Sequence, residues 1–422
     1  MVVVVTARRI VQVAKANRAH LPKGAQTVNG RGKYLIPALW DMHVHTAFGE
    51  WLPSWTGERI SFPLFVANGV TGVRDMGSDL PVVKRWREEI AGGNLLGPRM
   101  VIAGLMLDGP MPRFPSSVAV ANPADGRKAV DDLKNAGVDF IKIQSLIPRD
   151  AYFAVVDEAK KRDIAFVGHV PDAIRGREAS DAGQKSIEHL TGFFEACSTV
   201  ENELLKGPKG PGRLVSTYSG AKAKSLIAIL VKNQTWQVPT LVWEHGQWLL
   251  DKSDLSRDPL NRYAPSMWKD KTWPMFTTDI LKDMDTDPLP MRETFTQMEL
   301  QIVSVMRRIG IPFMAGTDTA AGVHVFPGFS LHEELEYFVR AGFTPLQALQ
   351  TATLNPARFL GRPDMGTVRK GNAADLVLLD ANPLVDIANS RRIRAVVLNG
   401  RYLSRGDLDN LLRQAELAAA SD

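Results

Sequence analysis

The sequence predicts an α/β protein: a (β/α)8, or TIM, barrel accompanied by a small β-sandwich domain built from both termini. Three observations lead there. Short apolar runs of strand character recur eight times through the middle of the chain. Amphipathic stretches with apolar residues near a 3.6-residue period separate several of them. The two ends, residues 1–36 and 366–405, are instead rich in valine, leucine and turn glycines.

The opening "MVVVVTARRIVQV" carries four valines before polar residues appear, too few for a signal-peptide core or a membrane span, so it reads as a strand. With "GKYLI" it forms the first part of the sandwich, residues 1–36. The barrel follows over 37–365. Its eight runs are "DMHVH", "VTGVRDMG", "PRMVIAGLML", "VDFIKIQ", "IAFVGHV", "KSIEHL", "TWQVPTLV" and "IPFMAGTDT". Helical patterns over 124–137 and 149–163 end on a glycine or a polar stop. Residues 243–310 form an insertion longer than barrel connections usually are. Trp236, Trp243, Trp248, Trp268 and Trp273 lie in or beside it, so it reads either as a lid over the barrel mouth or as a helical excursion packed on the barrel wall. Residues 366–405 return to the sandwich, and 406–422 read as a short, partly frayed helix or tail.

Composition narrows the function. An apolar fraction of 45% with 23% charged residues belongs to an ordinary globular protein and argues against disorder. The 51 basic against 46 acidic residues are scattered without a dense run, which gives nucleic-acid binding no footprint. No window is long and apolar enough for a transmembrane segment. The compartment stays open, because a secreted form that had lost its leader would read like a cytoplasmic one. The single cysteine, Cys197, excludes an intrachain disulfide and a cysteine-rich zinc cluster. With Glu195 nearby it reads as a structural thiol.

Metal, if bound, must therefore come through histidine, carboxylate or a modified side chain. In "ALWDMHVHTAFGE", residues 38–50, strand alternation puts His43 and His45 on one face as a metal-binding half-site. Residues at the carboxyl ends of barrel strands converge on one mouth. There the fourth run offers Lys142, the fifth His169, the sixth His189 and the eighth Asp318. Imidazole and carboxylate suit zinc and similar ions. Lys142, flanked by Ile141 and Ile143, is costly to bury charged. As a neutral amine it can take up carbon dioxide to give an anionic carbamate able to bridge two metals.

This set, with "GKYLIPALWDMHVH" and the tail "LHEELEYFVRAGFTPLQALQTATLNPARFLG" leading into "GTVRKGNAADLVLLDANPL", resembles the amidohydrolase superfamily over nearly the whole chain. Within it the chain is most similar to the imidazolonepropionase-like and prolidase-like dipeptidase branch with a carboxylated lysine. The resemblance implies two divalent metal ions, most simply zinc. His43, His45 and Asp318 would hold the more buried ion, His169 and His189 the more exposed one, and the carbamate on Lys142 would bridge them.

The chain departs from the family in two places. Its amino-terminal β-domain reads as shortened, and Pro37-Ala38 stands where Pro-Gly is usual, an expected strain of about 1 kcal/mol if that position needs positive φ. The implied activity is hydrolysis of the C–N bond of a dipeptide or N-acyl amino acid by a metal-bridging hydroxide, with Asp318 as general base. A lactone, ester or phosphotriester substrate and a non-catalytic scaffold are the alternatives. His245 is expected beside the scissile group as a second catalytic residue. Thr240, Trp243, His324, Arg74 and Asp108 are expected substrate contacts, with Asp75 a further candidate. A small molecule is the expected partner, and a homo-oligomer the expected assembly.

Overall fold

The computed structural model describes residues 1–207, 209–252, 254–284 and 287–422. Two sheets of parallel strands carry its α/β fold. The first joins β4 (Leu39–Val44), β5 (Val70–Asp75) and β6 (Arg99–Ile102) in that order. The second contains β7 (Met106–Asp108), β8 (Ser117–Ala119), β9 (Ile141–Ile143), β10 (Phe166–Gly168), β11 (Ser186–Glu188) and β12 (Trp236–Val238). Its order is β12-β11-β10-β9-β7-β8. Residues 311–319 lie between the sheets, bridged in parallel from Phe313 to Gln237 of β12 and from Thr319 to Val44 of β4. On the other side Asp139, just before β9, donates its N–H to the Ile102 carbonyl at 2.9 Å.

Helices cover these strands for reasons visible locally. The helix Pro123–Asn135 starts where the Asn122 side chain accepts from the N–H groups of Ala124 and Asp125, with proline in its first turn. Its buried face of Ala129, Val130 and Leu133 follows the 3.6-residue period. Between the strands, Met42, Met76, Phe140, Val167, Val238 and Met314 belong to one packed cluster.

Four expectations need correction. The eighth run, 311–319, makes only isolated bridges: Asp318 is left-handed (φ 59°), and Thr317 directs its N–H and hydroxyl to the Asp41 carboxylate. The third run splits into β6 and β7 at Gly104 (φ 68°), whose carbonyl accepts from Ser78 N–H, while β8 appears where no strand was expected. The carboxyl-terminal helix, Arg405–Ala420, is not frayed. Its Ala415, Ala418 and Ala419 bury against Ile60, Leu64 and Trp268, small residues permitting the close approach. Ala38 is buried and absent from the positive-φ residues, so the strain expected there does not arise.

Both chain ends contribute to a four-stranded antiparallel sheet. It comprises β3 (Tyr34–Pro37), β13 (Leu376–Leu379), β14 (Ile393–Leu398) and β15 (Arg401–Ser404), in the order β15-β14-β13-β3. β1 (Val2–Thr6) and β2 (Arg9–Ala14) form a separate hairpin. In the segment 243–310, of which residues 253, 285 and 286 lie outside the described residues, Trp268 is buried and Trp273 stacks on His324. No helix among the described residues is long and apolar enough to cross a membrane.

Candidate metal centre

The carboxyl ends of the parallel strands bring His43, His45, His169, His189 and Asp318 around one cavity of about 110 Å³. Lys142 lies fully buried among these groups, its charge felt by His43, His169 and His189. Ligand atoms of His43, His189 and Asp318 all fall within 4.8 Å of one another.

Each imidazole is oriented through its Nδ1. That of His43 donates to Glu188 at 3.0 Å and that of His45 to the Gly77 carbonyl at 2.6 Å. The Thr240 hydroxyl donates to the Pro239 carbonyl, so toward His189 Nδ1, 2.6 Å away, it accepts. His169 Nδ1 meets the Ser145 hydroxyl at 2.8 Å. At His43, His45 and His189 these outer partners fix the tautomer and leave Nε2 with its lone pair.

The consequence shows at Asp318. His43 Nε2 and His45 Nε2 stand 3.3 and 3.2 Å from its Oδ1, and His189 Nε2 stands 3.9 Å from its Oδ2. With both Nδ1 atoms donating, two imidazole lone pairs face one carboxylate oxygen, acceptors against an acceptor. A cation between them removes the conflict. Two protons would do so only by placing imidazolium rings 5.6 Å apart in a buried site. Burial, and then the charge of Lys142, hold His43 and His169 well below the usual imidazole range. Burial takes His189 down to about 4. Burial acts in the same direction on His45, but the Asp318 carboxylate outweighs it and moves that group upward. The donor set thus fits a divalent metal.

Lys142 differs from an ordinary lysine. Its Nζ has no hydrogen-bond partner among the described residues, and burial lowers its pKa to about 8. Strain collects at the same strand ends: His189, Thr240 and Asp318 have φ of 57°, 47° and 59°. Left-handed backbone costs such residues roughly 1–2 kcal/mol each. Interstrand bonds help hold it, Asp318 N–H donating to the His43 carbonyl at 2.8 Å and His189 N–H to that of Val238 at 2.9 Å.

Of the expected substrate contacts, Trp243 lines the cavity, its indole N–H fixed to the Ala321 carbonyl at 2.9 Å. The others do not line it. Arg74 is wholly buried among the strands, donating to the Met42 carbonyl, Ser186 and Glu188. Asp75 holds the Thr46 and Ser78 hydroxyls, and Asp108 accepts from the Leu146 N–H at 2.8 Å. Thr240 reaches the centre only through His189. His245 packs its ring on Tyr337, with Nε2 3.6 Å from Glu299, away from the cavity lining. His324 is sandwiched on Trp273 and lies 3.6 Å from Asp258. Cys197 is buried, and that burial pushes its thiol up.

The cavity also uses residues that the sequence reading passed over: Phe48, Arg113, Phe114, Gln144 and Phe276. Gln144 was within reach, since it follows Lys142 by two on the same strand face. Glu188, which carries His43, directly precedes His189. Phe276 belongs to the helix Trp273–Met284, so the insertion contributes to the cavity wall.

A parallel α/β fold with a histidine–aspartate cluster at its strand ends defines a protein with a candidate metal-binding group. The chain belongs to the amidohydrolase family, whose pattern matches residues 34–403. It is 25% identical to the ochratoxinase of Aspergillus niger over 431 aligned residues, covering 88% of this chain and 76% of that one. The structure of a bottromycin amidohydrolase superposes with a TM-score of 0.69 at 24% identity, covering 92% of this chain and 81% of its own. That of a Xaa-Pro dipeptidase with bound methionine gives 0.65 at 20%, covering 95% and 94%.

Proposed function

We propose that this protein is a metal-dependent amidohydrolase that cleaves the C–N bond of a small substrate, a dipeptide or an N-acyl amino acid. One observation carries the reading: the lone pairs of His43 and His45 converge on Asp318 beside His189 and a buried, unpartnered Lys142 amine. His43, His45 and Asp318 would hold one divalent ion, zinc being the simplest for these donors, and His169 and His189 a second. Lys142 would bridge them as a carbamate. Its Nζ lone pair forms the bond to the carbon of carbon dioxide, a proton leaves, and the product carries one negative charge over two oxygens. When bound, such ions bring the pKa of water toward neutrality and polarise a carbonyl.

The chain's own groups do the remaining work. Asp318 accepts a proton from the attacking water and returns it to the leaving amine. Glu188, Gly77, Ser145 and Thr240 hold the four imidazoles in place. Trp243, Phe48, Phe114 and Phe276 form an apolar wall that excludes water and suits an acyl or side-chain group. In the same reading the strands and residues 311–319 close an eight-stranded barrel over 37–365, flanked by one β-sandwich from 1–36 and 366–405. The pairing of β3 with β13 supports that joining of the two ends.

The test loads the purified protein with zinc and bicarbonate, counts metal per chain, and follows amine release from dipeptides and N-acyl amino acids varied at both ends. Release from a subset is the expected result. Two metals per chain with silence across the panel would refute C–N hydrolysis of this substrate class and favour a lactone, ester or phosphotriester.

A further inference from the structure

A second cavity, of about 510 Å³, opens at the other end of the strands, where β12 and residues 311–319 begin. That volume lies in the range of small-molecule sites. Its lining includes Trp236, Phe343, Gln234, Gln350, Arg307 and Arg358. Among the described residues, no acidic one lines it.

The two arginines differ from those that are held in ion pairs. Arg149, Arg391 and Arg394 are each tied to a glutamate or aspartate at 2.6 to 3.0 Å. Among the described residues, no carboxylate pairs with Arg307 or Arg358. Arg307 lies over the Phe343 ring, 5.6 Å from its centroid, and its Nε is buried without a hydrogen-bond partner. Two guanidinium groups on one concave wall without a counter-charge create a positive potential that apolar walls focus. Guanidinium geometry matches carboxylate, and the flanking rings favour a flat apolar body over a hydrated inorganic ion.

We infer that this cavity binds a planar organic anion of one or two rings, its carboxylate held by Arg307 and Arg358 and its ring set against Trp236 and Phe343. This site is separate from the metal centre. Its lining begins the segment whose far end carries Asp318, so the two ligands occupy opposite ends of the same strands.

Titration calorimetry with 2-naphthoate on the full-length protein tests the assignment, run before and after metal is stripped with a chelator. One saturable site per chain is expected, unchanged by the chelator and at least about 10-fold weaker in Arg358→Gln and in Arg307→Gln/Arg358→Gln. Arg358 is exposed, so its single variant leaves packing untouched. The neutral 2-naphthalenemethanol should also bind at least about 10-fold more weakly. No saturable binding, binding lost with the metal, or full affinity in the double variant would overturn the assignment. Inorganic phosphate displacing naphthoate at equal concentration would overturn the planar-ring part.

Discussion

Replacing Glu188 by glutamine probes what holds the centre up from below. Glu188 is fully buried and accepts from His43 Nδ1 at 3.0 Å, Arg74 at 2.8 Å and the Ser186 hydroxyl at 2.5 Å. Glutamine preserves the shape but removes the charge, leaving the Arg74 guanidinium buried without its ion-pair partner. Breaking a buried pair from one side costs about 3–5 kcal/mol. Unfolding entropy near 2.1 cal/mol/K per residue gives this 422-residue chain roughly 0.9 kcal/mol/K, so the melting temperature should fall by about 3–6 °C. Adding Arg74→Met should recover part of the loss, because two neutral groups replace one stranded cation. Scanning calorimetry on Glu188→Gln and the double variant reads both effects. A single variant that melts within about 1 °C of the parent, or a double variant that melts below the single, would refute the reasoning. His43 also loses its carboxylate, so metal retention against a chelator should weaken about 10- to 100-fold.

In zinc-saturated protein Asp318→Asn should lower turnover by about 100- to 10,000-fold, and its metal should be lost to a chelator sooner than the parent's, since the same carboxylate would hold the ion; appreciable turnover of the metal-loaded variant would remove Asp318 as the base. Lys142→Met should abolish turnover yet hold or raise stability by about 1–3 kcal/mol, because it replaces a buried amine that has no partner; denaturant unfolding beside the activity assay separates the two. His332 offers a pH test outside the centre. Its Nε2–H donates to the Asn68 carbonyl, its Nδ1 accepts from Ser390, and burial lowers its pKa to about 3. The unfolded chain therefore takes up a proton below about pH 6.5 that the folded chain refuses, so this site's contribution is present above 6.5 and lost as pH falls toward 3. Stability of the parent should decline across that window more steeply than that of His332→Asn, by about 1.4 kcal/mol per pH unit. Parallel slopes would contradict a buried neutral His332.

What the sequence made legible follows from the period of two along a strand. It placed His43 with His45, and the strand-end rule gathered His169 and His189, each directly after a parallel strand, together with Lys142 inside β9; Asp318 joined them although its segment, 311–319, pairs only through isolated bridges. The same rule misplaced Arg74. Alternation gives the face of a side chain but not its depth, and Arg74 points among the strands toward Glu188 and Ser186. His245 failed for a different reason. The chain turns helical directly after Thr240, over Leu241–Trp248, and at 3.6 residues per turn His245 points about 200° from Trp243. Only one of the two can face the cavity.

Residue type and local period were enough to read the alternation of strands and helices, the side chains proposed as metal ligands and the class of chemistry those would suit. Tertiary structure alone decided which Nδ1 partner orients each imidazole, how Glu188 and Arg74 support the centre, and which aromatics wall the cavity. Those relations join residues far apart in sequence, such as Arg74 with Glu188 and Trp243 with Ala321, and no local period encodes where separate segments meet once packed.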